Sequence, residues 1–120
     1  MKPYQDARVE GEKLAKQYAE LEKADQVDFY NGLEGYYSVL GHNKKQEAIA
    51  VLIEKNDHKI YVYQLDKGIS QDKAATISRE KGASDIDKIT FGRYQDKPIW
   101  EVKSGNHYYL IDFETGALIQ

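Results

Sequence analysis

Three kinds of side chain in this 120-residue sequence could do chemistry: three histidines, twenty acids and ten tyrosines. His42, His58 and His107 lie far apart in the chain and all fall in expected turns. No HxH or HxxxH spacing sets two imidazoles side by side, so surface turn positions are the reading over a metal site. Among the carboxylates, Glu34, Glu101 and Asp112 are candidates for an acid/base pair, one protonated to donate and one ionised to accept. Nothing in the spacing selects any pair. Ser70 and Ser78 read as a helix cap and a helix surface position, not as nucleophiles. Gly105 and Gly116 lack the flanking residues of a nucleophile elbow, and no glycine-rich phosphate loop occurs. Without cysteine there is no disulfide and no thiolate ligand. Catalysis finds no positive support, and no cofactor or metal is implied.

The tyrosines are the unusual feature, most of them read as core filler and the remainder as candidate contact residues. Most sit on expected strands, where a twisted sheet uses the ring as filler and keeps the hydroxyl at the rim. Alternation along a strand sends Tyr36 and Tyr37 to opposite faces, and Tyr108 and Tyr109 likewise. One of each pair must therefore leave a core covered by a helix. Tyr36, Tyr37, Tyr94, Trp100 and Tyr108 are the large side chains left as candidate contact residues, because tyrosine and tryptophan supply rigid area at interfaces. The Lys44-Lys45 loop adds local positive charge beside Tyr36.

These residues must be positioned by a folded domain. Hydrophobic content of 41% with 12% aromatic residues is that of a globular chain. A net charge of −3 carries no basic footprint for nucleic acid. No run approaches the ~20 apolar residues of a membrane helix, and Met1-Lys-Pro-Tyr4 contains no signal-peptide core.

The periodicity predicts a helix from about Tyr4 to Ala24, with Tyr4, Ala7, Gly11, Leu14, Tyr18 and Leu21 on one stripe. Gly11 inside that stripe predicts close approach of the helix backbone to a sheet. Strands are expected at Val27–Tyr30, Glu34–Leu40, Ala48–Ile53 and Lys59–Leu65, separated by turn residues. Lys67-Gly-Ile-Ser70 is a short junction. Ser70 then caps a second helix that stops near Gly82. Strands at Ile86–Tyr94, Pro98–Lys103 and His107–Phe113 follow, and Glu114-Thr-Gly116 turns the chain back into Ala117–Ile119. Gly116 is expected to supply a positive φ.

Shifted by 48 positions, Tyr61-Val-Tyr-Gln-Leu-Asp-Lys-Gly68 lies against Tyr109-Leu-Ile-Asp-Phe-Glu-Thr-Gly116. Each copy ends a helix-then-strands block. The fold expected is α+β, two tandem units at residues 1–68 and 69–120. Each is a helix across one face of an antiparallel sheet of three to four strands, leaving the other face open to a partner.

Asp112-Phe-Glu-Thr-Gly116-Ala-Leu118, after a strand pair and a short alanine-rich helix, resembles the closing signature of PepSY-type domains. The wider order adds Tyr30-Asn-Gly32, Tyr36-Tyr-Ser-Val-Leu-Gly41, Gly68-Ile-Ser70 and Pro98-Ile-Trp-Glu-Val102. It resembles the TseB/YpmB-like cell wall elongation regulators of Gram-positive bacteria across essentially the whole chain. That resemblance implies two cystatin-like units, an N-terminal single-pass anchor preceding residue 1, and a globular part on the extracytoplasmic face of the membrane. It also implies a penicillin-binding protein or another wall-synthesis protein as partner, and a regulatory role without catalysis. A peptidase-inhibitor or propeptide-like module is the alternative, presenting the loop Gly41–Lys45 or Asn31–Gly35 to a protease cleft. A hydrolase of wall polymers would need a carboxylate pair that the residues do not reveal.

Overall fold

The computed structural model describes residues 3–120, with side chains from residue 9 onward. The expected places of Tyr4 and Ala7 on the helix stripe lie outside the described side chains. The chain divides into two compact parts, one ending at Gln64 and one spanning Leu65–Gln120.

In the first part, helix α1 (Pro3–Tyr18) precedes strands β1 (Leu21–Asn31), β2 (Gly35–Asn43), β3 (Ala48–Glu54) and β4 (Ile60–Gln64). The strands form one antiparallel sheet in sequence order. Ala15 on α1 and Leu21, Val27, Val39, Ile49, Val51 and Ile53 on the strands make the core under the helix. A Cβ on Gly11 would stand 3.1 Å from the Tyr37 Cβ, so the glycine lets α1 settle onto β2 as its position in the stripe predicted.

The helix is shorter than its periodicity predicted. It ends with Ala19 N–H bonded to the Ala15 carbonyl, and Glu20 turns the chain at φ 56°. Leu21 to Ala24 belong to β1 instead. The apolar stripe continues through Leu21 in either conformation. What decides is the long ladder with β2, which pairs Leu21 with Asn43 and Asn31 with Gly35. Burying Leu21 against the core stabilises the strand more than one further helical turn would. Likewise β2 runs past the expected end at Leu40 to Asn43.

The second part opens with a 3₁₀ turn at Leu65–Lys67, then helix α2 (Gln71–Glu80) and strands β5 (Lys88–Tyr94), β6 (Lys97–Ser104) and β7 (His107–Asp112). These strands form a three-stranded antiparallel sheet, again in sequence order. Ser70 caps α2 by accepting from the Lys73 N–H at 3.0 Å, as predicted. Phe91, Trp100 and Phe113 pack edge to face on the α2 side, with ring centroids 5.0 to 6.4 Å apart. Gly116 adopts φ 81°. The residues after it return along β7: Leu118 bridges Ile111, and Ile119 N–H reaches the Leu110 carbonyl at 2.7 Å.

The expected open face of the first sheet is not open. Tyr30, Tyr36, Leu40, Ala50 and Leu52, which alternation turns away from α1, are all buried. Tyr30, Tyr36 and Tyr61 form a ring layer there, with centroid separations of 6.4 and 6.2 Å.

Register between β1 and β2 slips twice, between Leu21 and Lys23 and between Ala24 and Gln26. At this place a Cβ on Gly41 would collide with the Lys23 carbonyl oxygen and crowd Leu21. Gly41→Ala is therefore expected to lower stability by roughly 1–3 kcal/mol, the usual cost of overpacking. Urea denaturation checks this, and an unchanged midpoint would show that the bulged strand moves aside freely.

Candidate functional site

The five aromatic candidates divide sharply. Tyr36 is 2% exposed, and its hydroxyl donates to Glu34 Oε2 at 3.1 Å. Trp100 is also 2% exposed; its Nε1 donates to the Ile69 carbonyl at 3.0 Å while its ring meets Phe91 and Phe113. Both are core residues, and neither offers the surface expected of it. The reason is common to both: a strand position facing away from solvent, plus a partner for the one polar atom, removes any cost of burying the ring.

Tyr37 is half-buried beneath α1 and meets Phe29 edge-on at 5.6 Å, with Lys55 Nζ 5.6 Å from the centre of the Phe29 ring. Tyr94 is half-buried, and its hydroxyl accepts from Gln120 Nε2 at 3.2 Å. Tyr108, opposite Lys103 on β7, is 54% exposed. Tyr94 and Tyr108 share a face of the second sheet but stand at its opposite ends, since Tyr94 pairs with Lys97 and Tyr108 with Lys103.

The carboxylates are held by their own neighbourhoods. Asp112 is buried, and Oδ1 accepts from the N–H groups of Glu114 and Thr115 at 2.8 and 3.1 Å. It shapes the turn that carries the chain back along β7. Glu101 sits half-buried in the centre of β6; burial raises its pKa, and the Lys88 ammonium works against that. Glu34 receives the Tyr36 hydroxyl. A fourth acid carried no sequence signal. Glu54, at the end of β3, is buried, and that burial is the first cause of a carboxyl held above its ordinary value near 4.5. A hydrogen bond with the Asp57 side chain and the charges of Glu34 and Asp57 push the same way, while Lys59 opposes them. Only the folded sheet brings Glu34, from the β1–β2 turn, to this hairpin.

His42 pairs with Asp25 across β1 and β2 at 2.8 Å, and His107 lies against the Tyr109 ring. Among the described residues no group of three acids or histidines is placed to hold a metal ion. His58, in the β3–β4 turn at φ 56°, lines a pocket of about 170 Å³ with Leu14, Tyr18, Ile53 and Ile60. Exposed Val62 lies one alternate position along β4 from Ile60. Of the two loops considered for inhibition, Asn31–Gly35 presents Leu33 at 74% exposure. Gly41 to Asn43 are strand instead.

Against this geometry, a family model described as the cell wall elongation regulator TseB-like domain matches residues 10–54, from within α1 to the end of β3. A relative from Bacillus subtilis (strain 168), described as "Probable cell wall elongation regulator TseB", is 34% identical over 113 residues. The alignment covers 88% of this chain and 70% of that protein. The chain belongs to the TseB-like cell wall elongation regulator family. The solved structure of the YpmB protein from Bacillus subtilis agrees, with a TM-score of 0.79 at 31% identity over 93% of each chain. This TseB-like domain is α+β, its helices packed on antiparallel sheets of four and three strands. The matched segment includes Gly11, the Tyr36–Tyr37 pair and Glu54.

Two outcomes follow for this TseB-like domain. Tyr36→Ala is expected to cost about 3–5 kcal/mol of stability, as large buried aromatics do, whereas Tyr108→Ala stays within roughly 0.5 kcal/mol. Equal melting temperatures for the two variants would overturn the assignment of core and surface. For Glu54, the folded state holds its proton more tightly than the unfolded chain does. Its contribution is therefore largest below pH 4.5 and declines as pH rises from there through the raised folded-state value. Glu54→Gln is expected to raise Tm at neutral pH and to have less effect below pH 4.5. A variant less stable at neutral pH would refute that sign.

Proposed function

We propose that this chain regulates cell wall elongation by binding, without catalysis, and that its partner is a penicillin-binding protein. The observation that carries the reading is membership of the TseB-like family through a relative described as an elongation regulator. The state of the candidate acids supports it. Asp112 is bound into its own turn, Glu34 accepts from Tyr36, and Glu101 and Glu54 are held in their sheets. A general acid or base needs a side chain aimed at a substrate, whereas Asp112 and Glu34 are engaged within the protein.

The globular part works on the extracytoplasmic face of the membrane of a Gram-positive bacterium, held there by an N-terminal anchor. The two parts of the chain are tandem cystatin-like and PepSY-like units. The echo between Tyr61–Gly68 and Tyr109–Gly116 supports a duplication, because each copy lies along the last strand of its own sheet and into the turn after it. On the contact surface, Tyr108 is the member of the original aromatic set with the exposure such a role needs.

Surface plasmon resonance with the chain immobilised and purified extracytoplasmic domains of elongation-type penicillin-binding proteins in solution tests the partner. Saturable binding at micromolar concentration is expected, with no release of muropeptides from peptidoglycan by the chain itself. No binding to any of these domains would end the penicillin-binding-protein reading, and muropeptide release would end the non-catalytic one.

A further inference from the structure

Two open sheets have four outer edges, and three of them are guarded. β1 carries two register slips and the charges of Glu22, Lys23, Asp25 and Asp28. β5 carries Lys88 and Arg93. The outer side of β7 is occupied by the returning residues Leu118–Gln120. Bulges, charges and covering segments are the devices that keep a sheet edge from pairing with another chain. β4 has none of them. Its sequence, Ile60-Tyr-Val-Tyr-Gln64, has no charge, no proline and no bulge, and every residue but glutamine is β-branched or aromatic.

The β3–β4 register says which groups this edge offers. Glu54 N–H donates to the Lys59 carbonyl at 2.8 Å. Alternation from that bond makes Leu52–Tyr61 and Ala50–Tyr63 the pairs that exchange hydrogen bonds. The N–H and C=O groups of Ile60, Val62 and Gln64 then point away from β3. Among the described residues no backbone group meets them. Their side chains lie on the α1 face, where Val62 is 48% exposed and Ile60 lines the 170 Å³ pocket with Leu14, Tyr18, Ile53 and His58.

We propose that β4 is a strand-addition site, and that its occupant is an extended segment of a partner protein with apolar residues at alternate positions. Strand addition draws affinity from main-chain hydrogen bonds and specificity from pockets for every second side chain, and both are present here. The residue opposite Ile60 fills the pocket. Charge sets which end of the guest lies beside the turn. The β3–β4 turn carries Lys55 and Lys59 against the single acid Asp57, while at the far end Gln64 is bonded to Glu47. A guest with an acid beside Lys59 and a base beside Glu47 is matched at both ends. A second copy of the chain fits less well: antiparallel pairing of two β4 strands about Val62 places Gln64 opposite Ile60, a polar side chain at an apolar pocket.

This inference rests on the reading of the chain as a binding module, and the test separates the two. The ¹⁵N-labelled chain is titrated with a short synthetic peptide carrying valine or leucine at alternate positions, glutamate at the end expected beside Lys59 and lysine at the other. The amides of Ile60, Val62 and Gln64 are expected to shift and to gain protection from hydrogen exchange, together with shifts at Leu14 and Tyr18. Methylating the peptide nitrogens that face β4 is expected to abolish those changes. Val62→Pro removes an outward N–H, which an edge strand tolerates, and should weaken peptide binding by about tenfold or more. Val62→Lys is a second variant that restores the guard of the other edges without touching the backbone. No shift on β4 with millimolar peptide overturns the proposal. So does concentration-dependent protection of the same amides in the chain alone, which would make the occupant a second copy. Undiminished capture of a penicillin-binding protein domain by both variants overturns the β4 assignment and leaves the binding-module reading standing. Failure of the unaltered chain to capture any such domain strikes that reading instead, whatever the peptide does.

Discussion

The distance between α1 and β2 is set at Gly11, and the packing of the first part depends on it. With no side chain at that position, the helix backbone comes down onto the Tyr37 Cβ. Tyr37 is thereby packed under the helix, and it meets its cross-strand partner Phe29 edge-on. A larger residue would lift the helix from the strands, and the core side chains of Ala15, Val39 and Val51 would lose contact with one another. Dispersion contacts weaken steeply with a gap of less than an ångström. A glycine that is unfavourable for helix formation by about 1 kcal/mol is thus retained where tertiary contact outweighs propensity.

Much of this arrangement was legible in the residues. Glycine within an apolar stripe, Ser70 before an alanine-rich helix and Gly116 after a carboxylate each carry a local physical requirement, and each is where that requirement placed it. The end of α1 was not legible. Leu21 satisfies a helical stripe and a strand equally, and only pairing with Asn43, 22 positions on, distinguishes them. The facing of the aromatics was half legible. Alternation separated Tyr36 from Tyr37, but one strand cannot report whether its second face is covered. Tyr36 and Trp100 were therefore read as candidate surface when they are core. The raised Glu54 carboxyl was invisible for a related reason. It arises first from burial, then from Asp57 across a turn and Glu34 on a neighbouring turn, and no spacing rule joins the three.

Polar groups inside the fold are matched by the fold itself. Apart from the exposed ion pairs, such as Lys16 with Glu12 at 2.9 Å, the buried polar side chains have partners, and among the described residues no buried side-chain nitrogen or oxygen is left unmatched. Enzymes commonly leave titratable groups poised in a cleft with shifted pKa values. The two shifted acids here, Glu54 and Glu101, lie on β3 and β6, strands flanked by a neighbour on both sides. Burial is the first cause of both shifts.

Both sheets are simple meanders in which every strand pairs with its neighbour in sequence. Closing such ladders requires only short loops, so little chain entropy is lost before the first contacts form. Topologies dominated by nearby contacts also fold faster than those that must join distant segments. Under the extracytoplasmic reading proposed above, the chain would have to fold outside the cell, without ATP-driven chaperones. Strand order alone then gives it an advantage unrelated to final stability: each hairpin can zip as it emerges, shortening the interval in which unpaired strands stand open to cleavage or aggregation.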